Sequence, residues 1–121
     1  MVRVMSDEHP LRELYEAFND RDIDAVLDAV TPDVDWTNAW EGGRLHGRDA
    51  LRDYWTRQWA AIDPTVVPRA ITTLPDGRVA VEVEQTVRDL QGEVLASGTV
   101  RHVYALRDGL VSRMDVEEEG G

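Results

Sequence analysis

The first half of the chain carries apolar residues at helical spacing in three separate stretches. Spacings of i, i+3, i+4 and i+7 place such residues on one face of a helix, which predicts three amphipathic helices. Pro10 suits the first turn of the first helix, Asp22 can cap the second, and the third begins at Gly47. Thr31-Pro32 is expected to end the second helix and Asp63-Pro64 the third. The apolar stripes are Leu11, Leu14, Tyr15 and Phe18; Ile23, Val26, Leu27 and Val30; and Leu51, Trp55, Trp59 and Ile62.

The second half alternates apolar and polar residues, which is the period-two pattern of half-buried strands. A short strand at 34–40, followed by the turn Glu41-Gly42-Gly43, precedes the third helix. Tight turn sequences separate the later strands from one another. These four strands are predicted at 66–74, 79–87, 95–106 and 110–116.

The element order α-α-β-α-β-β-β-β, with tight turns late in the chain, excludes a parallel βαβ sheet. We therefore expect a cone-shaped α+β fold, in which three helices pack on a strongly curved antiparallel sheet that encloses a pocket. A chain of 121 residues fits one domain. We assign residues 10–117 to it, with a poorly ordered N-terminus at 1–9 and a frayed tail at 118–121.

Composition removes several classes of function. The net charge is −11 and all thirteen basic residues are scattered arginines, which argues against nucleic-acid binding. The absence of cysteine excludes disulfides, thiolate metal sites and thiol nucleophiles. No apolar run is long enough to span a membrane, and the acidic start is not a signal peptide. The three histidines lack the spacing of metal ligands. We expect a cytoplasmic protein without cofactor or metal.

Several segments resemble the SnoaL-like polyketide cyclases and ketosteroid isomerases of the nuclear-transport-factor-2-like superfamily. The resemblance covers about residues 10–117 and implies the same cone-shaped fold, a small hydrophobic ligand and a homodimer formed through the outer face of the sheet. It does not fix a reaction, because this fold supports many functions. The segments that carry it are 14–19, 22–26, 31–36, 45–55 and 104–113.

The catalytic residues of the isomerase branch are not conserved in this sequence. Its carboxylate base corresponds to Asn38, which cannot take a proton from carbon at neutral pH. Its oxyanion-binding tyrosine corresponds to Leu14, with Tyr15 about 100° further round the helix. Its protonated aspartic acid corresponds to His102. Steroid isomerisation by that enzyme's mechanism, which is a standard example of pKa tuning, is therefore not expected here.

His102 and Asn38 are the candidate catalytic residues. His102 lies on an otherwise apolar strand face that the resemblance turns toward the pocket, where it is either a general acid/base or a half-buried histidine bound to a neighbour. Its neighbours Arg101 and Val103 would then face solvent or a partner. Asn38 either orients a substrate oxygen or initiates a turn.

Aromatic residues are the candidate ligand contacts. Trp55 and Trp59 are four residues apart on one helix face, and with Trp36 they form either a wall for a hydrophobic ligand or part of the core. Trp40 lies at the pocket mouth or covers an exposed edge. Further ligand contacts are expected from Tyr15, Tyr104 and Met114.

Glu82 and Glu84 are expected on the solvent side of their strand. A register slip of one residue would instead bring Glu84 beside His102 as an acid–base pair.

Two functions compete at this point. The first is a cofactor-independent isomerase or cyclase that acts on a small hydrophobic carbonyl or polycyclic compound. The second is a non-catalytic small-molecule-binding or dimerisation module of the same fold.

Overall fold

The computed structural model describes residues 8–118, and the expectations for residues 1–7 and 119–121 lie outside this range. Within it the chain forms three helices and six strands. Helix α1 already begins at Glu8, inside the segment expected to be poorly ordered, and Pro10 lies in its first turn. In chain order the elements are α1 (Glu8–Asn19), α2 (Ile23–Asp28), β1 (Val30–Thr37), β2 (Arg44–His46), α3 (Arg48–Ala61), β3 (Asp63–Thr73), β4 (Val79–Arg88), β5 (Val94–Arg107) and β6 (Leu110–Glu118).

The six strands form one sheet in the order β2-β1-β6-β5-β4-β3. Four of the five pairings are antiparallel, whereas β1 runs parallel to β6. The expected α+β class is confirmed, but the sheet is mixed rather than wholly antiparallel. Because β1 and β6 are far apart in sequence, no tight turn links them, and a parallel neighbour is allowed.

Strand β1 begins earlier than predicted, at a residue that the sequence pattern assigned to the second helix. Helix α2 ends at Asp28, and Val30 lies opposite Val111 in the sheet, with both side chains buried. Pro32 is part of the strand, in a stretch where the pairing with β6 shifts register. A proline cannot donate to a strand ladder, and it is tolerated at such an irregularity.

Strand β2 was not predicted. It has three residues, pairs with β1 at the sheet edge, and follows the turn that contains Gly42 and Gly43. The turn was expected from its glycines, both of which have positive φ angles. Three residues are too few to show a periodic pattern, so the strand itself had no detectable signal.

The helices pack against one face of the sheet, and the core lies between the two layers. Helix α3 starts at Arg48, and its N-cap Gly47 has a φ of +89° and a ψ of 161°, which favour glycine. The helices contribute apolar and aromatic side chains from their stripes, and the sheet contributes alternate residues of its strands. The core includes Leu11, Leu14, Tyr15, Val26, Leu51, Tyr54 and Trp55 from the helices, and Val34, Trp36, Val79, Val81, Val83, Tyr104 and Met114 from the strands.

The structure shows which side chains of β4 point into the core and which point to solvent. Val81 and Val83 are fully buried and point inward, whereas Glu82 and Glu84 are exposed, and Glu84 forms an ion pair with Arg69. The expected solvent orientation of the two acids is therefore correct, and Glu84 cannot act as a partner of His102.

The opposite face of β5 departs from expectation. Val103 is only 1% exposed rather than solvent-facing, because it lies between Ala80 of β4 and Asp115 of β6 on the outer face of a central strand. Arg101 is half-buried there and forms an ion pair with Glu117.

Candidate functional site

A cavity of about 90 Å³ lies between helices α1 and α3 and the inner face of the sheet, and it is partly open to the exterior. Its wall is mostly apolar, with a few phenol, amide and imidazole groups. Six of the eight residues that the sequence predicted for the site line this cavity. They are Tyr15, Trp36, Trp55, His102, Tyr104 and Met114.

Three polar side chains meet at the cavity wall. The Tyr15 oxygen lies 2.8 Å from Nδ1 of His102 and 2.7 Å from the Tyr104 oxygen. The Tyr104 oxygen is also 3.3 Å from the same nitrogen. His102 and Tyr104 share a face of β5 because they are two residues apart, and Tyr15 reaches them from the buried stripe of α1. We call this group the Tyr15–His102–Tyr104 trio.

The trio carries one more hydrogen-bond donor hydrogen than its two short internal contacts use. The two phenols and the neutral imidazole carry three donor hydrogens, and two short contacts join the groups. If Tyr104 donates to Tyr15 and Tyr15 to Nδ1, the imidazole Nε2–H is left over. If Nδ1–H donates to Tyr15 and Tyr15 to Tyr104, the Tyr104 hydroxyl is left over and Nε2 has a free lone pair. Either arrangement can offer one hydrogen to an oxygen atom in the cavity.

All three groups are uncharged at neutral pH. Burial lowers the pKa of His102 to about 4, because the imidazolium ion loses its hydration there. Burial, together with the neighbouring Tyr104 phenol, raises the pKa of Tyr15 well above its ordinary value. Burial also raises the pKa of Tyr104. The trio therefore presents uncharged hydrogen-bonding groups to the cavity rather than a charge.

An aromatic cluster forms the apolar wall of the cavity. The Trp36 ring stands edge-to-face on Trp55, with centroids 5.4 Å apart, and lies 6.2 Å from the Tyr104 ring. Trp59, which was expected to contact the ligand, does not line the cavity. It stacks behind Trp55 at a centroid distance of 6.1 Å and meets the Phe18 ring edge-to-face, so it supports the wall from outside.

Asn38 also lies away from the cavity lining. Its Oδ1 accepts hydrogen bonds from the backbone N–H groups of Trp40 (3.2 Å) and Glu41 (2.7 Å), and its Nδ2 donates to the Glu41 carboxylate at 3.0 Å. This is the turn-initiating arrangement that was the alternative to a substrate contact. Trp40 itself is 39% exposed and lies 6.2 Å from the Tyr54 ring.

Four polar residues of the cavity were missed by the sequence reasoning, namely Thr37, Tyr54, Gln58 and Gln85. Gln58 and Tyr54 of α3 are both buried and line the cavity, and Gln58 Nε2 donates to the Tyr54 hydroxyl at 3.2 Å. Gln58 is seven residues after Leu51, so it occupies the buried stripe of the helix. That spacing was the available signal, and it was overlooked because Trp59 and Ile62 also fit a stripe.

The part of the chain that is described contains neither a cluster of metal ligands nor a membrane-spanning helix. Across residues 8–118, no group of three or more His, Asp or Glu side chains is placed to hold a metal ion. No helix in the same range is both long and apolar enough to cross a bilayer.

The fold and sequence are similar to those of known proteins. Residues 11–114 match the sequence profile of the family described as SnoaL-like domain. An NTF2-like protein of unknown function from Burkholderia pseudomallei is 27% identical, with 95% of this chain and 92% of that chain covered and a TM-score of 0.81. TerC, co-crystallised with polyporic acid, is 25% identical, with 93% and 91% covered and a TM-score of 0.80.

A more distant structure shows the fold alone. The M. tuberculosis LEH-like epoxide hydrolase is 18% identical, with 93% of this chain and 82% of that chain covered and a TM-score of 0.78. No curated protein sequence matches this chain significantly.

Proposed function

The chain belongs to the SnoaL-like domain family, and we propose that it is a cofactor-independent enzyme of the isomerase or cyclase type that acts on a small hydrophobic carbonyl compound. The observation that carries this proposal is the Tyr15–His102–Tyr104 trio at the wall of an aromatic cavity. Buried donors that are already positioned stabilise negative charge on a substrate oxygen more strongly than water does.

The chemistry uses the second proton arrangement of the trio. The Tyr104 hydroxyl donates to the substrate carbonyl, and Nε2 of His102 takes a proton from the adjacent carbon. The C–H bond breaks, its electron pair forms an enolate, and the negative charge develops on the oxygen that Tyr104 holds. Return of the proton from Nε2 to another carbon moves a double bond. No electrons leave the substrate, so no cofactor is required.

The size of the cavity favours a compact substrate over a polycyclic one. One water needs about 10–15 Å³ of such volume, so 90 Å³ gives room for about six water-sized groups. Drug-sized ligands occupy pockets of about 300–1,000 Å³. A single ring with few substituents fits this cavity. The co-crystal of TerC with polyporic acid supports a small organic molecule as the occupant.

The test is exchange of the α-hydrogens of cyclic ketones in D₂O, followed by proton NMR with cyclohexanone and cyclohex-2-enone. We expect the protein to accelerate exchange, and His102→Gln to lower the rate about 100-fold or more, the usual contribution of a positioned acid or base. His46→Gln is the matched control, because the side chain of His46 is 71% exposed. A rate unchanged by His102→Gln contradicts the assignment.

The second candidate, a binding module without chemistry, is favoured by one observation. Among the residues that the structure describes, no Asp, Glu or Arg side chain lines the cavity, and a histidine with a pKa of about 4 is a weak base. Such a protein would use the first proton arrangement, in which Nε2–H binds the ligand. Binding without exchange, with the Nε2–H tautomer of His102 seen by ¹⁵N NMR of the complex, would support the module over the enzyme.

The homodimer implied by the family is part of the same proposal. The outer face of the sheet, through which we expect it to form, carries an ion-pair cluster of Asp35, Arg44, Arg113 and Asp115. Light scattering should give twice the chain mass of 13.7 kDa, and a monomer mass would contradict the expectation.

A further inference from the structure

The cavity has a second polar group, on the side formed by helix α3. Tyr54 is 4% exposed and Gln58 is 9% exposed, so both are effectively buried. They are one helical turn apart, and the Gln58 amide donates to the Tyr54 hydroxyl. The trio draws its members from α1 and β5, so the two polar groups reach the cavity from different elements.

The Tyr54–Gln58 pair has hydrogen-bonding capacity that its internal bond does not use. The bond occupies one amide hydrogen and one lone pair of the phenol oxygen. It leaves the carbonyl oxygen and a second N–H of Gln58, and the hydroxyl hydrogen of Tyr54. Within the described residues, the fully enclosed side-chain atoms without a partner are Thr31 Oγ1, Trp59 Nε1 and Arg101 Nε. The Gln58 carbonyl oxygen is not among them, whereas Gln58 Nε2 and the Tyr54 hydroxyl are bonded to each other, and the Tyr54 hydroxyl also has a backbone hydrogen bond with Trp40. Both residues line the cavity.

An apolar wall separates the pair from the trio. The ring centroids run from Tyr104 to Trp36 (6.2 Å), from Trp36 to Trp55 (5.4 Å) and from Trp55 to Tyr54 (6.2 Å). The rings of Trp36 and Trp55 therefore connect the two polar groups along the cavity wall. A ligand that contacts both must present an apolar middle to these indoles and a polar atom at each end.

We propose that Tyr54 and Gln58 bind a second oxygen of the ligand, so that the site selects compact ring compounds with oxygen functions on opposite sides of the ring. This inference rests on the proposed function, in which the trio holds the first oxygen. A site that hydrogen-bonds a ligand group discriminates strongly against an analogue that lacks it, because its own polar groups are then left unpaired. Tyr54 and Gln58 are specificity-determining residues in this scheme.

The experiment compares cyclohexanone with cyclohexane-1,4-dione, which differ by one oxygen at the far end of the ring. Dissociation constants are measured by NMR chemical-shift titration of the full chain. We expect the dione to bind about tenfold more tightly than cyclohexanone, although it is the more water-soluble compound. Gln58→Leu and Tyr54→Phe should abolish that preference and leave the affinity for cyclohexanone within about twofold.

Gln91→Leu is the matched control. Gln91 is an exposed amide in the turn between β4 and β5 and does not line the cavity, so its removal should leave the preference for the dione intact. If Gln58→Leu does not fold, the comparison of the two ketones on the unmodified chain and on Tyr54→Phe still decides the question.

The two proposals fail in different ways. Equal affinities for the two ketones, or tighter binding of cyclohexanone, overturn the role of Tyr54 and Gln58 and leave the proposed function standing. A preference for the dione that persists in both Gln58→Leu and Tyr54→Phe likewise overturns the role of these two residues and leaves the proposed function standing. Failure of both ketones to bind overturns the proposed function, and this inference falls with it.

Discussion

The burial of His102 predicts a pH dependence of the free energy of unfolding that can be measured without a ligand. An unfolded chain protonates His102 with a pKa near 6.5, whereas burial lowers the pKa in the folded state to about 4. Between these values the unfolded state binds more protons than the folded state. The free energy of unfolding must therefore fall as the pH drops through this window and stay level above it.

The size of the effect follows from the two pKa values. Linkage gives a loss of about 2 kcal/mol between pH 7 and pH 5, and about 3 kcal/mol once the pH is below 4. The carboxyl groups whose pKa is lowered by neighbouring arginines or hydrogen bonds lose their contribution at more acidic pH, because their unfolded values lie near 4. The range from pH 7 to pH 5 therefore reports mainly on the histidine.

The assay is urea unfolding at pH 7, 6 and 5, followed by tryptophan fluorescence. His102→Gln should be less stable at pH 7, since Tyr15 loses its contact with the imidazole and keeps only that with Tyr104. Between pH 7 and pH 5 its stability should change by about 2 kcal/mol less than that of the unmodified chain. His46→Gln, at an exposed histidine, should keep the full dependence. Equal slopes for His102→Gln and the unmodified chain would refute the buried, neutral imidazole on which the site depends.

Three further substitutions test single features of the structure. Tyr15→Phe removes the central hydroxyl of the trio and should slow ketone exchange at least about tenfold while costing about 1–2 kcal/mol in urea unfolding; an unchanged exchange rate would contradict its role. Asn38→Ala should lower the free energy of unfolding by about 1–2 kcal/mol, because the turn hydrogen bonds are lost. The affinity for the ketone should stay unchanged, and a large loss of affinity would indicate that Asn38 does contact the ligand. Gly47→Ala forces a side chain into a φ of +89° and should cost about 1–3 kcal/mol by the same assay; no loss would contradict the strained geometry.

The sequence could predict those parts of the fold that depend on local periodicity. The alternation in β5 puts His102 and Tyr104 on one strand face, and the stripe of α3 puts Trp55 on an apolar helix face. The resemblance turned these faces toward the pocket, and the three residues do line the cavity. The family resemblance supplied the shape around them. The periodic patterns and the segments that carry the resemblance each extend over a few residues, and over that length side-chain spacing decides which face is buried.

The features that the sequence could not predict depend on contacts between distant segments of the chain. The Tyr15–His102 contact joins residues 87 positions apart, and the resemblance had drawn attention to Leu14 instead. The parallel pairing of Val30 with Val111 reassigns Val30 from a helix to a strand, although its apolar character fits either element. Asn38 fits a turn and a pocket equally well by composition, and only the positions of the Trp40 and Glu41 backbone amides decide between them.

The order of strands also bears on how the protein is made. Strand β6 comes last along the chain but occupies the middle of the sheet, between β1 and β5, and its residues Met114 and Val116 line the cavity. A nascent chain that has left the ribosome only as far as Gly109 therefore holds two unjoined sheet fragments, each with an open edge where β6 belongs. Translation must deliver this strand before either fragment can close, so truncation of the chain at Gly109 should yield an aggregating product rather than a weakened one.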